Sequence, residues 1–205
     1  MKGLGLVTMT AALAALGGCG HMMPGGDSGG GWTVLFDGKS LAAFDRVGDA
    51  NWRVVDGMAV ADKGTGFLVT KASYGDFEIK AEFYAEADTN SGIFIRCQDP
   101  KKLTGNGVES CYEVNIWDDR PKQEHGTGAI VDVAAVVPMP KAGGKWNTYD
   151  ITVKADHFVV VFNGVKTVDV HHSKFARGVI GLQHAPGVKG DTGPIKFRRV
   201  EIRPL

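Results

Sequence analysis

Apolar residues in this chain recur at every second position and almost nowhere at the spacing of a helix. Phe77, Ile79, Ala81 and Phe83 alternate with Glu78, Lys80, Glu82 and Tyr84, the pattern of a long strand with one buried face. Similar shorter runs fall at 32–36, 51–55, 58–61, 66–70, 91–98, 111–117, 127–131, 146–154, 157–162, 165–170, 178–183 and 194–203. The one helical hint is a single turn near 70–74. Asp56-Gly57 and Asn163-Gly164 stand between apolar runs, where their tolerance of positive φ suits two-residue hairpins. Many short strands divided by Gly-rich turns predict an all-β fold, a two-sheet antiparallel sandwich or jelly roll, with a closed barrel as the alternative.

The N-terminus reads as targeting rather than fold. Lys2 precedes an apolar run from Leu4 to Leu16, too short to span a bilayer and ending in small residues. Leu16-Gly17-Gly18-Cys19 has the form of a bacterial lipobox, which makes residues 1–18 a lipoprotein signal peptide and Cys19 the lipidated first residue. The lipid would tether the protein to a membrane without crossing it. Gly20 rather than Asp follows the Cys, which points to the outer membrane, facing the periplasm. Residues 19–31 are a Gly-rich tether, and 32–205 are one domain's length. Lys and Arg total 23 and Asp and Glu total 23; with no basic stripe, nucleic acid is excluded as a partner. Cys97 and Cys111 bracket one loop, either as a disulfide, which an oxidising compartment permits, or as two free thiols.

The chemistry concentrates between Asn90 and Asp119. Alternation puts Phe94, Arg96 and Gln98 on one face of the first strand, and Ser91, Ile93, Ile95 and Cys97 on the other. In the second strand Glu113, Asn115 and Trp117 share a face opposite Tyr112, Val114 and Ile116. Ile93-Phe94-Ile95 is apolar on both faces, as a strand inside a sheet should be. A charged Arg and a charged Glu within apolar strands demand partners. They form either a structural salt bridge or the floor of a polar cleft walled by Phe94 and Trp117. If the strands are neighbours, Arg96 and Glu113 meet across them, with His184 at the cleft edge. Asp118, Asp119 and His125 match no metal-ligand spacing and read as loop charges; no metal and no other cofactor is assigned.

Taken in order, several segments resemble the 3-keto-disaccharide (3-keto-glucoside) hydrolase family. They are Gly31-Trp-Thr-Val-Leu-Phe-Asp-Gly-Lys-Ser-Leu41, Trp52-Arg-Val-Val-Asp-Gly57, Tyr74-Gly-Asp-Phe-Glu-Ile-Lys80, Asn90-Ser-Gly-Ile-Phe-Ile-Arg96, Tyr112-Glu-Val-Asn-Ile116, Thr127-Gly-Ala-Ile130, Gly144-Lys-Trp-Asn-Thr-Tyr149, Asn163-Gly-Val165 and Gly181-Leu-Gln-His184. The resemblance implies a concanavalin A-like jelly roll and cleavage of 3-keto-glycosides. Residues 118–137 and 97–111 depart from the common pattern and read as a subgroup's own loops.

In such a reaction a C3 ketone acidifies the C2 hydrogen, a base removes it, the C1 substituent leaves, and water adds back. His184, with its near-neutral unperturbed pKa, is one candidate base; Glu113 is the other, as base or leaving-group acid. Arg96 would hold the developing oxyanion. Asn115, Gln183 and Gln98 would position hydroxyls between Phe94 and Trp117. Gln183 and His184 point to opposite faces, so only one of them enters the cleft unless the strand ends between them. A binding module that holds carbohydrate without chemistry is the rival reading.

Overall fold

The alternation along residues 77–85 is realised near the middle of a large antiparallel sheet. The computed structural model describes residues 31–103, 109–190 and 192–205, with Met1 and the backbone of residues 27–28; Cys19 lies outside them. In chain order the strands are β1 (Asp27–Ser28), β2 (Trp32–Phe36), β3 (Phe44–Gly48), β4 (Arg53–Val55), β5 (Met58–Ala61), β6 (Gly66–Thr70), β7 (Phe77–Ala85), β8 (Asn90–Cys97), β9 (Tyr112–Trp117), β10 (Lys145–Lys154), β11 (His157–Phe162), β12 (Val165–His171), β13 (Val179–His184) and β14 (Ile195–Pro204). The large sheet runs β1-β2-β14-β7-β10-β11-β12, with the β4–β5 hairpin attached to β14. The small sheet runs β3-β6-β13-β8-β9. Every named pair is antiparallel, so the fold is the expected all-β sandwich.

The core lies between the sheets. Phe77, Ile79, Ala81 and Phe83 of β7 face Ile93 and Ile95 of β8, Val114 and Ile116 of β9, and Ile180 and Leu182 of β13 in one buried cluster. The hairpin turns form as their residues demand: Asp56 and Gly57 have φ of 48° and 75°, and Asn163 and Gly164 have φ of 50° and 79°. Three readings change. Residues 127–131 form turns in place of a strand, with only Ile130 bridging Val114 and Ala134, because their backbone is used to seat a loop on β9. β3 was not expected, since Phe44-Asp-Arg-Val-Gly48 lacks alternation; pairing with β6 holds it. Helical turns occur at Pro100–Lys102 and Gln123–His125, not near residue 70.

One break in regularity decides where the site residues point. Across β8 and β13, Gly181 pairs with Phe94 but Val179 pairs with Cys97, so β8 carries one extra residue. Arg96 takes it up with φ of 53°. Such a bulge reverses the alternation beyond it. Cys97 therefore lies with Phe94, and Arg96 turns to the other side.

Candidate active-site cleft

The face of the small sheet turned away from the core is divided in two. One half is apolar. Phe94 packs edge-on against Phe67, their ring centroids 5.0 Å apart, in a buried cluster with Val69, Cys97, Leu103, Cys111 and Val179. Cys97 and Cys111 are joined as a disulfide with Cα atoms 4.2 Å apart, and this cross-link closes the cluster. Phe94 is thus packing, not a sugar platform, because it is fully buried in this cluster with Leu103.

The other half is an open cleft of about 630 Å³, a volume suited to a small ligand. Glu113, Trp117 and Gln183 line it from β9 and β13. Asn90 lines it from the start of β8, and Arg120, Lys122, Val131 and Asp132 from the loop after β9. Gly92 makes room at the floor: a Cβ there would sit 3.1 Å from both Cγ and Oε1 of Glu113. Glu113 is only 5 % exposed. Burial raises its pKa to about 8, with Arg120 opposing the shift and Asp132 adding to it. The carboxyl is therefore mostly protonated at neutral pH, yet able to ionise.

Arg96 does not meet Glu113. Turned over by the bulge, it is 1 % exposed and spends its donors on the chain. Nε donates to Gly75 O (2.9 Å), Nη1 to Ala155 O (2.7 Å) and Phe175 O (3.1 Å), and Nη2 reaches Asp76 Oδ1 at 3.1 Å. It is a clamp on three connections, and the oxyanion role assigned to it falls. Gln98 goes with it, donating to the carbonyls of Arg96 and Arg177.

His184 is corrected for the reason alternation supplies: Gln183 enters the cleft, so His184 points the other way. Its Nδ1 lies 2.8 Å from Gly64 O, and burial lowers its pKa, partly offset by that bond. It fastens the turn before β6 and stands outside the cleft. Asn115 sits on the cleft face but beneath the loop, with Nδ2 donating to His125 O at 2.7 Å.

That loop is anchored by Asp118, read from sequence as a loop charge, and by Tyr149 of β10. Asp118 is buried and accepts from Thr127 Oγ1 (2.6 Å), Ala142 N (3.0 Å) and Gly143 N (2.9 Å). Tyr149, its pKa raised by burial, donates its hydroxyl to Asn115 O at 2.6 Å and accepts from Gly128 N at 2.8 Å. Together they hold in place the segment carrying Arg120, Lys122 and Asp132. Sequence reasoning passed over those three, because loop residues have no alternation to place them. Asn90 could have been found: it shares parity with Phe94 and the cleft face. Among the described residues no cluster of three or more His, Cys, Asp or Glu has the arrangement of a metal site.

A 3-keto-alpha-glucoside-1,2-lyase-like domain model matches residues 31–203. No curated protein matches the chain. Among solved structures, a candidate glycosyl hydrolase from Parabacteroides distasonis is similar with TM-score 0.73 and 21% identity, over 85% of this chain and 94% of that one. A second from the same organism has TM-score 0.66 and 27% identity, over 85% and 99%. The carbohydrate binding module CBM66 from Bacillus subtilis has TM-score 0.58 and 17% identity, over 84% and 95%. The match over nearly all of the described domain, on a jelly-roll sandwich with its cleft on the small sheet, places this chain in the 3-keto-alpha-glucoside-1,2-lyase-like domain family.

Proposed function

We propose that the protein cleaves 3-keto-glycosides by elimination and hydration, with Glu113 as its acid–base group. The observation that carries this reading is a buried carboxyl of pKa about 8 at the floor of a sugar-sized cleft. A base of that strength is matched to a carbon acid adjacent to a ketone. Ionised Glu113 takes the C2 proton, the electron pair forms the enolate, and the C1–O bond breaks. The departing oxygen collects the proton that Glu113 carries. Water then adds hydroxyl to C1 and hydrogen to C2 of the enone, giving the free 3-keto sugar. With Arg96 spent elsewhere, the ketone oxygen is received by the amides of Gln183 and Asn90, which line the cleft with Glu113, Asn90 through the Nδ2 hydrogen that does not go to Pro186 O, and Trp117 supplies an apolar wall. Anchoring through lipidated Cys19 at the outer membrane is part of the proposal.

The test is a panel of 3-keto-glycosides with release of the leaving alcohol followed over time, in wild type and Glu113→Gln. Wild-type release that the variant loses by roughly a hundredfold or more supports the assignment. Release that Glu113→Gln retains removes Glu113 from the chemistry. The second reading, carbohydrate binding without turnover, draws on the fold shared with a carbohydrate binding module. It predicts that both proteins bind sugars and neither cleaves them.

A further inference from the structure

Among the described residues, Arg120 forms no ion pair with a carboxylate. Its guanidinium lies 5.6 Å from the centre of the Trp117 ring. It lines the cleft, and its Nε is shut off from solvent with no acceptor among the described residues. Five other arginines of the domain pair with carboxylates, Arg53 with Asp62, Arg96 with Asp76, Arg198 with Glu82, Arg199 with Glu201 and Arg203 with Glu78, while Arg46 and Arg177 donate to the carbonyls of Trp52 and Ser73. Lys122, two residues on, lines the same cleft, and no described carboxylate forms an ion pair with either cation. Glu113 does not supply the missing charge while it holds its proton. Asp132 lines the cleft too, but it is exposed at the lip and pairs with neither. A half-buried guanidinium left in this state costs free energy that an anion would recover.

The position of that cation says which part of a ligand it addresses. Trp117 lies four residues along β9 from Glu113, about 13 Å of strand, and the Arg120 guanidinium beside it is within electrostatic reach of Glu113. A group held against Trp117 therefore belongs to a unit next to the sugar on which Glu113 acts. We infer that the Arg120–Lys122 corner is a subsite for an anionic oxygen group on the neighbouring unit of the glycoside, a carboxylate, sulfate or phosphate, so that the substrates are acidic glycosides. A planar guanidinium is suited to grip such groups with paired hydrogen bonds. The inference rests on reading the cleft as a glycoside site.

Calorimetric titration of the purified protein tests it with matched disaccharides that lack the C3 ketone, so that binding is read without turnover. The series is a neutral disaccharide and its uronate, sulfated and phosphorylated counterparts. At least one anionic member should bind about tenfold more tightly than the neutral one. That advantage should shrink at high salt, vanish in Arg120→Gln and grow in Asp132→Asn. The far-UV spectrum and the melting midpoint should not change in Arg120→Gln, which separates a lost charge from a lost fold. Equal affinity across the series, no binding by any member, or a preference that survives Arg120→Gln overturns it. Cleavage is assayed separately on neutral 3-keto-glycosides, so failure there leaves the binding result standing.

Discussion

Glu113 holds its proton more tightly in the folded chain than in the unfolded one, because the native carboxyl has lost most of its water. The folded pKa of about 8 lies above the ordinary value of about 4.3. Across that interval the native state carries a proton that the unfolded chain has released, so stability falls as pH rises from about 4.3 to about 8. Glu113→Gln removes this slope. The variant should gain on wild type through the window, by on the order of a few kcal/mol at its upper end. Urea midpoints at pH 5, 7 and 9 measure it, and parallel pH profiles would show that the carboxyl is well hydrated. Activity should run the opposite way, rising with pH towards a plateau above about 8 as the base ionises. Arg96 makes the contrasting case of a buried charge fully used. Arg96→Ala leaves the carbonyls of Gly75, Ala155 and Phe175 without their donor. It should cost about 3–5 kcal/mol in chemical denaturation, with the cleft side chains untouched.

The elements differ in how far their residues announced them. β7 was legible because a strand with one wet face writes alternation into its sequence, and both hairpins were legible because their turns require residues that accept positive φ. The pair β8–β9 was also legible, as was the shared face of Glu113 and Trp117, whereas parity said of Gln183 and His184 only that they face opposite ways. Parity failed at Arg96, because one inserted residue in β8 is set by pairing with β13 and leaves no mark in β8 itself. The cleft's second wall was hidden for a different reason. It is a loop whose shape comes from Asp118 and Tyr149 reaching backbone groups distant in sequence. Asp118→Ala removes the acceptor for Thr127, Ala142 and Gly143. It should cost on the order of 3 kcal/mol and weaken ligand binding more than a surface change of equal charge, measurable by thermal melts and titration side by side. At the cleft floor, Gly92→Ala puts a methyl 3.1 Å from Glu113 Cγ and 3.3 Å from the Phe94 ring. Activity should drop by roughly tenfold or more while the melting midpoint moves little.

At the scale of the whole molecule, the two sheets share the work unequally: the large one closes the core, and the small one carries the cleft on its far side. The Cys97–Cys111 cross-link stabilises that far side locally. Replacing both with Ser should cost about 3 kcal/mol in the chain-entropy account, and adding reductant to wild type should produce a similar shift in the urea midpoint. The order of strands has a further consequence. β14, the last strand of the chain, pairs with β2 and β5 from the beginning and with β7. The large sheet therefore lacks its centre until residues 195–204 have been synthesised. A chain lacking those residues would leave β2, β5 and β7 without their shared partner and expose strand edges open to pairing with other chains.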